Sequence, residues 1–465
     1  MRNLLIRAAL AGMVFALTAA FTGLAGLFVL TQMAGYDPQY ILDKTGEALT
    51  AKLRVSELDS RLRKVENALI TSRAAVQPDE PAQSGRPEVG FEPQLSAPSR
   101  GAAPPLSAPP AAKFGGAAKV AEVNFTPTVA PPQFDGLDRP QLDVCQDGTC
   151  RFPSLAKAYT RASDGDVITI GPGLYSDCID AIKKSVAIIG RPGPDGQRPT
   201  FSRACAGKAA LILAAPEILV QGIQVQDIRV GDQNGACFRL QHPKHQRVLI
   251  RDVVCVNSQN GILGSPGSKG GVHIEQSLFA GNGFKGRAHG IYVTGGEEVV
   301  IRNSVVHSTK QGGHSIKVGA RRLLIESSII AALDQRNSRA IDFYGGGVLL
   351  VRDSVLQQGE KSDNHEFIGL AGEAKRLNLG TPHAVFVTGS WLIYDDSKRC
   401  CRWLLNGRKT GEILLQGNRL VNVNGSRIKE FTNTSNKDFG SRRAAGLPAY
   451  DGTLASLPLP QSWTN

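Results

Sequence analysis

Along the second half of the chain, aliphatic residues recur in short runs that alternate with polar side chains and lack helical spacing. The pattern aliphatic, two polar, serine occurs as Ile274-Glu275-Gln276-Ser277, Ile301-Arg302-Asn303-Ser304, Ile325-Glu326-Ser327-Ser328 and Val351-Arg352-Asp353-Ser354. Ile250 begins an imperfect earlier copy, and the leaders are 24, 27, 24 and 26 residues apart. Periods of about 20 to 50 residues mark solenoids. Around the leaders lie β-rich runs such as Arg247 to Val254 and Val299 to Val306, punctuated by Gly and Asn. Leucine-rich repeats would need regular Leu positions, and propeller blades a longer unit. The pattern therefore predicts an all-β domain over residues 138–425, a right-handed parallel β-helix with Ile274, Ile301, Ile325 and Val351 stacked in its core. Residues 426–465 are expected to pack on it or trail it.

The first part of the chain reads differently. Ala8 to Leu30 is 23 residues without a charge, preceded by Arg2 and Arg7. A helix of that length crosses a hydrocarbon core of about 30 Å, whereas cleavable signal peptides have apolar regions of roughly 7 to 15 residues. Residues 1–35 are therefore expected to be a cytoplasmic tip and an uncleaved signal anchor, a single pass through a bacterial inner membrane; cleavage near Ala19 or Ala25 is the alternative. The basic N-terminal flank puts the rest of the chain in the periplasm. In the stalk, residues 36–75, Val55, Leu58, Leu62, Val65 and Leu69 form a heptad seam of about two repeats. It predicts either homo-oligomerisation through residues 48–72 or a solvated amphipathic helix on the membrane. Residues 76–137 hold an Ala-, Ser- and Gly-rich spacer with 12 of the 26 prolines between Gln77 and Pro132, too poor in large apolar groups to fold alone.

Between the repeated runs of the solenoid lies a second set, aligned without gaps at a spacing of 25 residues: His289-Gly290-Ile291-Tyr292-Val293, His314-Ser315-Ile316-Lys317-Val318 and Arg339-Ala340-Ile341-Asp342-Phe343. Equivalent residues of successive coils sit about 4.8 Å apart. Ile291, Ile316 and Ile341 then form one inward ladder, and Val293, Val318 and Phe343 another. Alternation sends Tyr292, Lys317 and Asp342 outward beside the small Gly290, Ser315 and Ala340. His289, His314 and Arg339 are expected to face outward too, since such groups are costly to desolvate in an apolar core. Asp342, Tyr344, Asn364, His365, Glu366, Lys285 and Arg287 complete the patch as candidate substrate-binding residues. The plain alternative is a surface ion pair of Lys317 with Asp342, worth less than about 1 kcal/mol.

Net charge is +12, of which +1 resides in residues 1–136 and +11 in the remainder. A basic domain outside the cytoplasm points to an anionic partner, and in that compartment to an acidic polysaccharide and not to nucleic acid. The eight cysteines suit an oxidising compartment. Cys145 with Cys150, Cys178 with Cys205, and Cys237 with Cys255 are candidate pairs; adjacent Cys400 and Cys401 fit a vicinal bridge, a bridge elsewhere or two thiols. No zinc-type spacing is present.

The patch suits removal of the proton α to a uronate carboxylate, followed by β-elimination (a lyase) or reprotonation (an epimerase). Such chemistry needs a cation on the carboxylate and a base of tunable pKa. Lys317, Arg339, His314, His289 and Tyr292 are the candidate catalytic residues. The first rival is glycoside hydrolysis by Asp342 with Glu366 or Asp363, ranked lower because cations and imidazoles outnumber acids. The second is a non-catalytic scaffold that guides an envelope polysaccharide.

Two stretches carry family resemblances. Phe152 to Tyr159 has apolar residues three and four apart, as a capping helix needs, and Asp164-Gly165-Asp166-Val167-Ile168-Thr169-Ile170-Gly171-Pro172-Gly173-Leu174-Tyr175 reads as a strand and a turn. This opening resembles pectate-lyase-like and pectin-esterase-like β-helices. Residues 285–345 are similar to the chondroitinase B and alginate lyase group, which implies Lys317 as the base, Arg339 on the neighbouring coil, and calcium. The acidic calcium ligands of that group are absent from the preceding coil, where His289-Gly290-Ile291-Tyr292 stands.

Overall fold

The computed structural model describes residues 126–135, 142–241, 244–377, 382–396, 401–408 and 410–464. The expected span at 8–30, the heptad seam and the spacer up to residue 125 lie outside these. Among the described residues no helix is long and apolar enough to cross a membrane. The described residues belong to one compact unit.

Among the described residues each complete coil contributes one strand to each of three parallel sheets, of 12, 11 and 9 strands, and the coils at the two ends lack one or two of them. One coil illustrates the unit: Glu298–Arg302 in the first sheet, Val305–His307 in the second and Ile316–Val318 in the third. The repeated leaders are in register, with Ile250 beside Ile274, Ile274 beside Ile301, Ile301 beside Ile325, and Ile325 beside Val351. All are fully buried in one continuous core. The chain is thus a parallel β-helix, as the spacing predicts.

The other residues of the repeated pattern build the corner between the first two sheets. Its third residue, Gln276, Asn303, Ser327 or Asp353, takes a left-handed φ of 45–51°, which polar short side chains tolerate better than branched ones. The serine then turns inward and links coils. Ser304 N–H donates to Ser328 Oγ at 3.2 Å, Ser328 N–H to Ser354 Oγ at 3.2 Å, and Ser354 N–H to Ser390 Oγ at 3.1 Å. Each hydroxyl donates in turn to the carbonyl two residues back, Ser328 Oγ to Glu326 O at 2.7 Å. Ser328→Ala should therefore leave a buried N–H unpaired and cost about 1–3 kcal/mol. The check is a lowered urea midpoint at unchanged m-value.

A helix, α1 (Leu155–Arg161), closes the N-terminal end; Ser154 Oγ caps it by accepting from Lys157 N–H, and Leu155 and Ala158 enter the core. The other end extends past the predicted limit of 425, through short strands Thr432–Thr434 and Lys437–Phe439. Those strands are exposed and nearly free of aliphatic residues, which hid them in the sequence pattern. The tail then folds back on the second sheet, where Leu457 packs with Ile329, Val355 and Ile393.

The three expected disulfides are formed: Cys145–Cys150, Cys178–Cys205 and Cys237–Cys255. Cys401 is disulfide-bonded as well. Residues 126–135, at the end of the expected spacer, lie along the outer face of the first sheet, with Phe134 packed against the cluster of Val167, Ala187, Leu219 and Leu249.

Candidate functional site

The outer face of the third sheet carries the predicted columns. Ile291, Ile316 and Ile341 are in register and fully buried, as are Val293, Val318 and Phe343, and Tyr292, Lys317 and Asp342 pair side by side on the outside. The neighbouring column departs from strict alternation. Ala340 joins the main core, and Ser315 is fully buried, its hydroxyl accepting from Asn337 Nδ2 at 3.4 Å. The physical reason is length: these strands have three residues each, so positions 290, 315 and 340 fall in the corner before them, where the backbone turns.

That turn sends His289 and His314 to the outside, as expected, yet not into solvent. They are 3% and 9% exposed. Their rings lie 5.2 Å apart, and His289 meets Tyr292 edge-on at 4.8 Å. His289 Nδ1 accepts from His314 N–H at 3.0 Å, and His314 Nε2 lies 3.2 Å from Asp342 Oδ2. His314 Nδ1 has no partner. Burial holds both imidazoles well below their ordinary pKa, helped by the charge of Lys317 nearby. Both are neutral at neutral pH.

Lys317 is the hub. Its Nζ donates to Asp342 Oδ2 at 3.0 Å and to Glu373 Oε1 at 3.4 Å. It sits over the Tyr344 ring at 4.6 Å and the Tyr292 ring at 5.8 Å. Burial pushes its pKa down, but the Asp342 carboxylate, with Glu373 and Tyr292, pushes it up by more, and the net shift is upward. The amine carries a positive charge and offers no lone pair, so the base expected at this position is not available from Lys317 in this state. Tyr344, nearly fully buried, donates to Thr294 O at 3.2 Å. Gly319 makes room for it, since a Cβ there would stand 2.7 Å from its hydroxyl.

Arg339 donates Nε to Glu366 Oε1 at 2.8 Å, and its NH1 lies 3.9 Å from Asp342 Oδ1. Asp342 and Glu366 are both buried. Gly369, beside Asp342 on the next coil, leaves space for the Arg339 side chain. The remaining predicted residues do not converge. Asn364 donates to Ser338 Oγ at 2.6 Å in a corner, His365 is exposed, and Lys285 and Arg287 are exposed in the loop before His289.

Glu373 was not legible in the sequence. It follows the third-sheet strand Glu366–Leu370, where Ala371 turns with φ of 59°, and Glu373 N–H docks on Tyr344 O at 2.8 Å. A short helix, α2 (Ala374–Leu377), continues from it and lays Leu377 over Gly319 and Gly345. Among the described residues no other coil carries a helix between its third-sheet strand and the next first-sheet strand, so no spacing argument finds it. The acids of the cluster then number three, Asp342, Glu366 and Glu373, against the cations Lys317 and Arg339. All three are engaged by those cations, and among the described residues no group of three or more His, Cys, Asp or Glu is arranged to hold a metal ion. The site does not fit calcium, and no step below uses it.

Buried histidines also occur outside the cluster. Burial lowers His307 to about 4 from an unfolded value of about 6.5, and lowers His273 too. The unfolded chain binds these protons first as pH falls, so the stability they confer is complete above pH 6.5 and declines toward pH 4. His307 alone should account for about 3 kcal/mol of that loss. Urea titrations between pH 7 and pH 4 should show the decline, and His307→Leu should make it shallower.

The three parallel sheets around one core define a parallel β-helix, and the third sheet carries a buried ionisable cluster on its outer face. Neither protein-family models nor curated proteins match the chain. Among solved structures it is similar to pectate lyase Pel9A, at 11% identity and a TM-score of 0.39 over 71% of this chain and 86% of that one. It is also similar to a pectin methylesterase from Aspergillus niger, at 9% identity and a TM-score of 0.32 over 72% and 97%, and to a pectin methylesterase in complex with a hexasaccharide, at 12% and 0.26 over 69% and 99%.

Proposed function

We propose that this β-helix is polysaccharide-active and that the third-sheet cluster acts on a uronate unit by proton abstraction, leading to β-elimination or epimerisation. One observation carries the reading: a charged ammonium is held between a buried carboxylate, Asp342, and a more exposed one, Glu373, whose side chain is 38% accessible. A fold gains little from burying such a group, and perturbed ionisable clusters concentrate at functional sites. Asp342 fixes the amine, while Glu373, on its own loop, occupies the place a sugar carboxylate would take. Lys317, with Arg339 beside it, then neutralises that carboxylate and acidifies the neighbouring C–H. Tyr292, partly exposed and edge-on to neutral His289, is the group placed to exchange a proton with the sugar.

The third carboxylate supports a second reading, glycoside hydrolysis. Asp342 and Glu373 each contact the Lys317 ammonium, at 3.0 and 3.4 Å, and so supply in one cluster the two carboxyl groups that hydrolysis requires. In either case the domain would work in the periplasm, tethered to the inner membrane by residues 8–30. The test is incubation of the protein with uronate-bearing and neutral polysaccharides. Unsaturated ends, seen by ultraviolet absorbance, support elimination, and new saturated reducing ends support hydrolysis. A C5-inverted uronate, seen by NMR, supports epimerisation. Binding without product assigns a scaffold, and no binding to any polymer overturns the proposal.

A further inference from the structure

In the first sheet, each strand arginine among the described residues meets an acid one coil away. Arg247 pairs with Glu217, Arg251 with Glu275, Arg302 and Arg352 with Glu326, and Arg322 with Glu298. The third sheet breaks this pattern at Arg239. Its side-by-side neighbours on the coils before and after are Ile212 and Leu263, both buried and apolar. Among the described residues no acid, hydrogen bond or ring contact engages the Arg239 guanidinium, although the side chain is half-buried.

Arg239 also shares a column with the Lys317 cluster. In register, the outer face of the third sheet runs Ile212, Arg239, Leu263, Tyr292, Lys317 and Asp342. Three coil spacings of about 4.8 Å put the Arg239 and Lys317 positions about 14 Å apart along the axis of the stack. Beyond Asp342 the column continues through Gly369 and Asn406 and carries no charge. The cationic part of this face therefore extends from the cluster toward the α1 end alone. An arginine seated between apolar side chains keeps its carbon stem on them and turns its donors outward, and its planar fork matches a carboxylate bidentately. A uronate pyranose answers both parts of the column, with an apolar C–H face for the partly exposed Tyr292 ring and a carboxylate for the fork.

We propose that Arg239 is a second carboxylate subsite, so that the polymer lies along the outer column of the third sheet, with one uronate at Lys317 and another, several sugars on, at Arg239. This subsite presupposes the uronate reading of the Lys317 cluster and narrows it. The substrate is a polymer whose carboxylates recur at a spacing that fits about 14 Å, and not a single sugar or a chain with isolated uronates. Arg239 touches no reacting atom in this arrangement. It decides which polymers are held, and at what length.

The test is calorimetry of the full-length chain with size-graded oligomers of galacturonate, mannuronate and guluronate, and with a neutral glucan series of the same lengths. Affinity for the uronate series that binds should rise by about tenfold at the length that spans both cations, the scale of one added charge-assisted contact. That step should vanish in Arg239→Met, which keeps an apolar stem, and a smaller step should return in Arg239→Lys, with the urea midpoints of both at the native value. Arg239→Gln is the second variant should Arg239→Met fold poorly. Lys317→Met, in contrast, should weaken binding at every length. A native chain without the step, a step that persists in Arg239→Met, or an equal loss at every length overturns the subsite and leaves the Lys317 reading standing. A native chain that binds no uronate oligomer overturns both.

Discussion

Lys317→Ala should abolish turnover of the true polysaccharide, reducing kcat/KM by at least about 100-fold, the scale of losing one preorganised charge at a reacting centre. It should also destabilise the domain. A wholly solvent-facing lysine would leave the fold indifferent, but the Lys317 side chain is 13% exposed and its partner Asp342 10%. Removing one member of a buried pair costs about 3 kcal/mol or more, because the other charge stays behind. Lys317→Met separates the two effects. It keeps the aliphatic stem against Tyr344 and removes only the charge, so it should lose activity as completely as alanine does. Glu373→Gln should act in the opposite direction: with its competing charge gone, an acidic oligosaccharide should bind several-fold more tightly, by about 1 kcal/mol at this exposure. Calorimetry with the substrate oligosaccharide reads both. Full activity in Lys317→Met would place the active site elsewhere.

Replacing Cys237 and Cys255 together with alanine should lower stability by about 3 kcal/mol, the scale for a closed loop of about 15 residues. The bridge joins a third-sheet strand, Ala236–Gln241, to the second-sheet strand of the following coil, Val254–Val256, and both cysteines are fully buried in the main core. Their Cα atoms lie 6.2 Å apart, within the ordinary range. The substitution also leaves two small side chains where a bridge filled the interior, so a cavity cost adds to the entropic one. The unfolding midpoint in urea should fall, whereas reductant added to the native protein should change little until the core opens. An unchanged midpoint would mean that the stacked aliphatic ladders alone carry this part of the stack.

Repetition is what made the fold legible in the chain. Ile274, Ile301, Ile325 and Val351 recur because each coil needs the same inward group at the same height, and a solenoid writes that requirement into the sequence once per turn. The gapless spacing of Ile291, Ile316 and Ile341 in the same way determined that Tyr292, Lys317 and Asp342 face outward. The three disulfides were also legible, since neighbouring cysteines there fall about one coil or less apart. Tertiary structure decided everything that has no repeat. His289 and His314 are buried only because Tyr292, Lys317 and Asp342 close around them. Ser315 and Ala340 turn inward because a three-residue strand is too short to hold alternation through its corner. Glu373 reaches Lys317 from a loop whose helix follows no other described third-sheet strand, and Val129 lies on Gly271 across 142 residues of chain. Periodicity reports the average coil, while the chemistry of this protein sits where one coil differs from the next.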